Sequence, residues 1–255
     1  MRLSARIRQL APPVGLLLVV FLTWEILPPV VGIKPHVFPR LSLVLAAGLE
    51  VLPNVWLHLR TTALEAVGGL LLGGGFGLVV GVAMAQCEFL RRMLQPYVVG
   101  SNAIPIVAIA PLVVLWLGHG LLSKVAVAAF LCFFPLAVNT LRGLREFNLM
   151  YSELFRVYGG TAGQFFWKFQ VPNALPYILS GARLSATYSV IGAVVAEFIG
   201  ADRGLGFAML QASYNLNSPR LYAYLIIACA LGLAMYSAIA FIERHCFRRD
   251  RGHDD

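Results

Sequence analysis

Six stretches of 20 to 24 residues, nearly free of charged side chains, dominate this chain: Val14–Ile33, Thr62–Ala85, Val98–Leu117, Leu122–Leu141, Tyr177–Ile199 and Tyr222–Ile242. A helix needs roughly 20 mostly apolar residues to cross the hydrocarbon core of a bilayer. No water there can satisfy backbone N–H and C=O groups, so a spanning segment has to be a helix or part of a closed barrel. Runs of this length select helices. The expected fold class is all-α: a polytopic membrane helical bundle of about six transmembrane helices. Composition agrees, with 59% hydrophobic and only 13% charged residues, against roughly 25% charged in a soluble domain. The first run follows Arg2, Arg6 and Arg8 as in a signal peptide. No small-residue cleavage site closes it, so it reads as an uncleaved first span.

The net charge of +8 is spread between the apolar runs. That distribution speaks for membrane topology and membrane lipid, not nucleic acid. With the N-terminus in the cytoplasm, the inner segments hold 13 basic residues: Arg2, Arg6, Arg8, Arg91, Arg92, Arg142, Arg145, Arg156, Lys168, Arg244, Arg248, Arg249 and Arg251. The outer segments hold six: Lys34, Arg40, Arg60, Lys124, Arg203 and Arg220. Arg183 lies within a span. The excess places both termini inside, as an even span count requires.

The sequence reads as one transmembrane domain over residues 1–255. The outer segment Lys34–Thr61 carries a short amphipathic stretch, Leu41–Leu52, between Pro35, Pro39 and Pro53. The inner segment, residues 142–176, is the only sizeable cytoplasmic loop. The third and fourth runs are separated only by Gly118–Leu121, a tight helical hairpin.

Within the spans, Gly69, Gly73, Gly77 and Gly81 recur every four residues, and Ala85 continues the row. Such a row lets another helix approach closely. It is a seam in a moving bundle or between subunits, or static packing within one chain. In the third run Pro105 and Pro111 each free the carbonyl four residues back, at Ser101 and Val107. Asn102 lies one turn before Pro105 on nearly the same face. This is either a translocation-pathway lining or a kinked helix with a satisfied Asn. In the fifth run Arg183 is close enough to the cytoplasmic end to snorkel. Glu197 lies near the outer end, before Asp202, Gly204 and Gly206. An acid at that depth is a gate candidate; the alternative is a polar anchor that hydrogen-bonds a loop backbone.

The cytoplasmic loop is the most informative segment. A short helix is expected around Glu153–Tyr158, with Leu154, Val157 and Tyr158 on one side, ended by Gly159-Gly160. Thr161 and Gln164 have capping-box spacing for a second short helix, which Val171-Pro172 stops. The apolar stripe that includes Phe165, Phe166 and Phe169 suits docking into a partner's groove or lying on the lipid surface.

The spacing of Glu153, Gly159, Phe169 and Val171-Pro172 resembles the EAA motif of ABC importer permeases. Leu154 and Phe155 stand where that family has two alanines, and Phe169 and Val171 where it has other aliphatic residues. HLRTTALEAVGGLLLGGGFGLVVGVAMA, AIPIVAIAPLVVLWLGHGLLSK and AEFIGADRGLGF resemble the sulfonate, taurine and nitrate permease branch. The resemblance extends over about Pro35–Asn215. The third-to-fourth-run stretch is most similar to the subgroup for thiamine pyrimidine precursors or riboflavin. The resemblance implies the type I importer permease fold, with a second permease copy, two ATP-binding cassette ATPase subunits and a periplasmic or lipid-anchored solute-binding protein. It implies ATPase coupling through Glu153, Leu154, Arg156, Tyr158, Gly159, Phe165, Phe169, Val171 and Pro172.

The chain has no G-x-x-x-x-G-K-[ST] phosphate loop, H-E-x-x-H or G-x-S-x-G pattern. No enzyme activity, metal or cofactor of its own is expected, and ATP would be bound by a partner. The expected function is import of a small solute: a sulfonate, taurine or nitrate, a vitamin precursor such as hydroxymethylpyrimidine, or riboflavin. The rival is an ion-gradient-driven secondary transporter, which would call for ionisable groups at the midplane and inverted repeats.

Overall fold

The computed structural model of the chain describes residues 2–147 and 149–247. Arg248, Arg249 and Arg251 of the basic count, and Asn148 of the inner loop, lie outside them. Among the described residues every regular element is helical. In order these are α1 (Arg2–Val30), α2 (Leu41–Gly69), a π-turn (Leu70–Gly74), α3 (Gly75–Gln86), α4 (Glu88–Ser101), α5 (Ile106–Leu117) and α6 (Leu121–Arg145). Then come α7 (Leu149–Val157), α8 (Ala162–Phe165), a second π-turn (Phe166–Gln170), α9 (Val171–Gly200), α10 (Leu205–Tyr214) and α11 (Ser218–Phe247). Five helical stretches are long and apolar enough to span a membrane, or six if the bent pair α4–α5 counts as one span.

The chain forms two compact units, Met1–Trp56 with Ala208–Ile227, and Leu57–Phe207 with Ala228–Asp255. In the first, the carboxylate of Glu25 on α1 accepts from the backbone N–H (2.9 Å) and the hydroxyl (2.7 Å) of Ser42. It thereby caps the start of α2, where unpaired N–H groups favour an anion. The Trp24 indole donates to the Pro39 carbonyl at 3.0 Å, and its ring packs on Phe38 and Tyr222, each with centroids 6.0 Å away. Ala47, Val51 and Ala223 are buried beside them.

In the second unit α6 is the central element. Its last turn carries Arg142 and Arg145, which complement the negative end of the helix dipole. Close approach on both sides depends on glycine. On one side the seam of α2–α3 meets Ala128, Ala129, Phe133, Ala137 and Thr140. On the other, a Cβ at Gly181 or Gly192 of α9 would lie 2.8 Å from Asn139 Cβ or 2.7 Å from Ala128 Cα. Small clusters fill the remaining space: Met84 with Val98, Phe134, Ala137 and Leu141; Ala110 with Val127 and Ala196; Ala66 with Val190 and Ala193.

Several expectations need correction. The outer stretch Leu41–Leu52 is not an isolated amphipathic segment, because α2 passes through Pro53 and the helical run continues for 46 residues to Gln86. The third run is not one continuous kinked helix: it is broken into α4 and α5, which meet at 102°. Pro105 caps α5 in extended geometry (ψ 118°) instead of lying within a helix. The Ser101 carbonyl is not freed; it accepts from Ile104 N–H at 3.1 Å. Proline disfavours helical geometry in the residue before it, here Ile104. Val171-Pro172 does not stop the second short helix. The helical run continues from Ala162 to Gly200, with Pro172 in the first turn of α9. The π-turn before it shifts the pairing, and Val171 N–H reaches back to the Phe166 carbonyl. The extra residue in that turn accommodates the missing donor and the ring. Arg183 does not snorkel alone; it pairs with Glu243 at 3.0 Å. Lys124, counted as an outer-loop cation, is buried.

Candidate functional site

The segment 149–170 is built from local signals. α7 ends in a Schellman motif: Gly160 N–H donates to the Phe155 carbonyl and Gly159 N–H to the Arg156 carbonyl, both at 2.9 Å. Gly159 takes φ +78°, a left-handed conformation costly for a residue with a Cβ. Gly160 is needed for another reason, since a Cβ there would lie 2.1 Å from the Phe155 ring. α8 opens on a capping box. Gln164 N–H donates to Thr161 Oγ1 (3.3 Å) and Thr161 N–H to Gln164 Oε1 (3.0 Å).

Aromatic packing then locks the two short helices together. Phe165 lies 5.4 Å from Phe147, 5.5 Å from Phe155 and 5.1 Å from Phe169, and Tyr151 lies 5.4 Å from Phe169. Phe165 and Phe169 are therefore half-buried inside the pair. The outward apolar face is made instead by Leu154, Val157 and Tyr158, which are 51%, 81% and 83% exposed, with Trp167. Glu153 and Arg156 are exposed beside them, and Val171 and Pro172 continue into the first turn of α9.

A second constellation lies at the other end of α9. Glu197 is 1% exposed. Its Oε1 accepts from the Thr62 hydroxyl at 2.6 Å and its Oε2 from Gly206 N–H at 2.5 Å. The Thr62 oxygen accepts in turn from Leu205 N–H at 2.8 Å, and His58 Nδ1 from Gly204 N–H at 3.1 Å. Glu197 thus receives one unpaired donor at the start of α10 directly and a second through Thr62, and the geometry is that of a loop anchor. Gly204 and Gly206 make it possible, because a Cβ on either would lie within 3 Å of the Glu197 side chain. Lys124 donates to the carbonyls of His119 and of Gly200 (2.6 Å), tying the α5–α6 turn to the end of α9. Glu65, 3% exposed, lies beside Glu197.

Sequence reasoning did not place Thr62, Glu65 or Lys124 at this site, and Lys124 entered it only as an outer cation. The signal that was available is a charged residue inside each of two apolar runs, opposite the Gly204-x-Gly206 pattern. The remaining predicted residues are placed as follows. A Cβ on Gly69, Gly73, Gly77 or Gly81 would lie 2.0 to 2.7 Å from α6, so this seam lies within one chain. Asn102 caps the C-terminus of α4, and with Pro105 and Pro111 it is exposed on the chain surface. The bend keeps Asn102 and Pro105 from sharing a helix face.

This arrangement matches known proteins along most of its length. The chain is 34% identical to the formylaminopyrimidine transport permease protein ThiX of Halalkalibacterium halodurans, covering 92% of this chain and 94% of that protein. It is 31% identical to the riboflavin transport system permease protein RibX of Chloroflexus aurantiacus, covering 95% and 94%. It is 28% identical to the taurine transport system permease protein TauC of Escherichia coli, covering 92% and 85%. A chain of the inward-facing MetNI methionine ABC transporter superposes with a TM-score of 0.63 at 22% identity, over 76% of this chain and 97% of that one. The fold is therefore that of a type I ABC importer permease. The family model for the binding-protein-dependent transport system inner membrane component matches residues 73–248, which include α7–α8 and Glu197. The chain belongs to that family.

Proposed function

We propose that this chain carries a small solute through the membrane by alternating access, driven by ATP hydrolysis in a separate cytoplasmic subunit that grips α7–α8. The observation that carries this reading is the α7–α8 pair. It is locked internally by caps and aromatic packing, yet presents Leu154, Val157 and Tyr158 outward. A locked pair transmits displacement, which a flexible linker would absorb. Burying one such side chain contributes about 1.5–3 kcal/mol, enough in sum to hold a partner. Glu153 and Arg156 add charge that an opposing groove can read.

The reading includes two copies of the chain, both termini in the cytoplasm, and a binding protein that delivers the solute at the outer face. The basic bias supports the orientation. ATP needs no site in this chain, and no other cofactor is called for. Glu197 holds the 201–206 loop and supports the outward gate. The solute is a small compound of the kind named for ThiX, RibX or TauC: a formylaminopyrimidine, riboflavin or taurine.

The test is reconstitution in liposomes with a cognate ATPase and binding protein, identified by co-purification with this chain. ATP hydrolysis is measured against formylaminopyrimidine, riboflavin and taurine, each loaded on that binding protein. Stimulation by one of them identifies the class. Gly159→Val should release the ATPase or uncouple hydrolysis from uptake; full coupled transport in that variant refutes the coupling role of α7–α8.

A further inference from the structure

We propose that the end of α6 and the start of α4 form a binding site for the phosphate headgroup of an anionic phospholipid. The inference rests on the orientation proposed above, which puts this end at the inner leaflet.

Four arginines converge here, Arg91 and Arg92 of α4 and Arg142 and Arg145 of α6, against two carboxylates. Glu88 alone receives three of them: Arg91, with Nε at 2.9 Å, Arg92 Nε at 3.0 Å and Arg145 Nη1 at 3.1 Å. Those guanidinium contacts push its carboxyl down to about 2, so it stays an anion throughout. Glu146 receives Arg142 Nε at 2.9 Å. A carboxylate has about four lone-pair sites, and Glu88 has all of them occupied. Arg92, Arg142 and Arg145 each commit a single nitrogen to these ion pairs. A guanidinium carries five N–H donors in a planar fork suited to phosphate oxygens. The cluster is left with two uncompensated positive charges and unspent Nη donors.

Those donors border open space. Two adjoining recesses of about 390 and 440 Å³ share Arg91 and Gln95. Their walls below the arginines are apolar: Val138 and Leu141 in one, Pro96 and Val99 in the other. A cationic rim over an apolar floor at a membrane interface fits a ligand with a phosphate at one end and an acyl chain at the other. Basic pockets between membrane helices on the cytoplasmic side take such headgroups. A soluble phosphate has no use for the floor.

The test uses the full chain purified in neutral detergent. It is titrated separately with phosphatidylglycerol, phosphatidylcholine and inorganic phosphate, and adducts are counted by native mass spectrometry. Phosphatidylglycerol should bind in preference to phosphatidylcholine. Arg92→Gln/Arg142→Gln should weaken that binding about 30-fold, as loss of two interfacial charges predicts. Arg244→Gln, an exposed cation elsewhere, should leave it unchanged. Undiminished binding in the double variant overturns the site. Displacement of the lipid by inorganic phosphate alone assigns it to soluble anions and overturns the lipid source. Should the double variant fail to fold, Arg92→Gln alone suffices, since that side chain is 78% exposed and its loss disturbs no core. Detergent has no leaflets, so this result does not depend on orientation. A reporter fusion at Arg92 tests orientation separately.

Discussion

Replacing Gly73 by alanine should destabilise this protein, while the same change two residues later should not. At Gly73 the added Cβ would lie 2.0 Å from the Ala129 carbonyl oxygen and 2.5 Å from Ala129 Cα. Ordinary contact begins at 3.4 Å, so the π-turn at Leu70–Gly74 and α6 would have to part by more than ~1 Å locally, because interiors are close-packed. The obstacle is backbone, which has no rotamer to escape into. Overpacking of this kind costs about 1–3 kcal/mol. Gly75 faces open space within 4 Å, and there alanine gains roughly 0.5–1 kcal/mol of helix propensity. The two variants should therefore differ by about 2–4 kcal/mol, or on the order of 5 °C or more in melting temperature for a chain of this size. The assay is thermal unfolding of the detergent-purified protein followed by fluorescence-detected size exclusion. Equal melting of Gly73→Ala and Gly75→Ala would refute the claim that the glycine row is a close seam with α6. Gly77→Leu, whose Cβ alone meets Phe133 O at 2.5 Å, should abolish assembly or uptake.

Gly159→Ala should weaken α7–α8 by about 1–2 kcal/mol through its positive φ, and Gly159→Val by more; co-purification with the ATPase subunit reads the loss. Glu197→Ala removes the acceptor of Thr62 and Gly206 and should lower uptake while leaving the ATPase subunit bound; loss of that subunit would contradict the anchor role. Reporter fusions at Glu50 and Ser213 should read outside and those at Arg92 and Glu153 inside; a cytoplasmic signal at Ser213 would sink the topology. Glu88 is held down to about 2 from 4.5 by three arginines. Its contribution is therefore complete above its unfolded value and is lost as pH falls toward 2. A carboxyl titration by NMR should find it charged at pH 4, and a midpoint near 4.5 would refute the convergence.

What the sequence determined by itself was set by short-range physics. The number of membrane-crossing stretches follows from the thickness of the hydrocarbon, which punishes any backbone group left unpaired, though how far each helix runs beyond it does not. The caps of α7 and α8 were legible because a Schellman turn and a capping box each close within six residues. The four-residue glycine spacing was legible as a helix seam, though a straight α-helix drifts about 40° per such step. The wider π-turn at Leu70–Gly74 counteracts that drift and keeps the row facing α6. Tertiary structure decided the rest. Pro105 breaks its helix, yet Pro53, Pro96, Pro111 and Pro135 lie inside continuous ones. The difference lies in which surroundings satisfy or displace the backbone, and a proline does not encode that. Phe165 and Phe169 read as an outward stripe but turn inward, because Phe147, Tyr151 and Phe155 fold over them. Glu197 finds Thr62 across 135 positions of chain. No local pattern specifies a partner that far away, and only the packed helices bring the two within 2.6 Å.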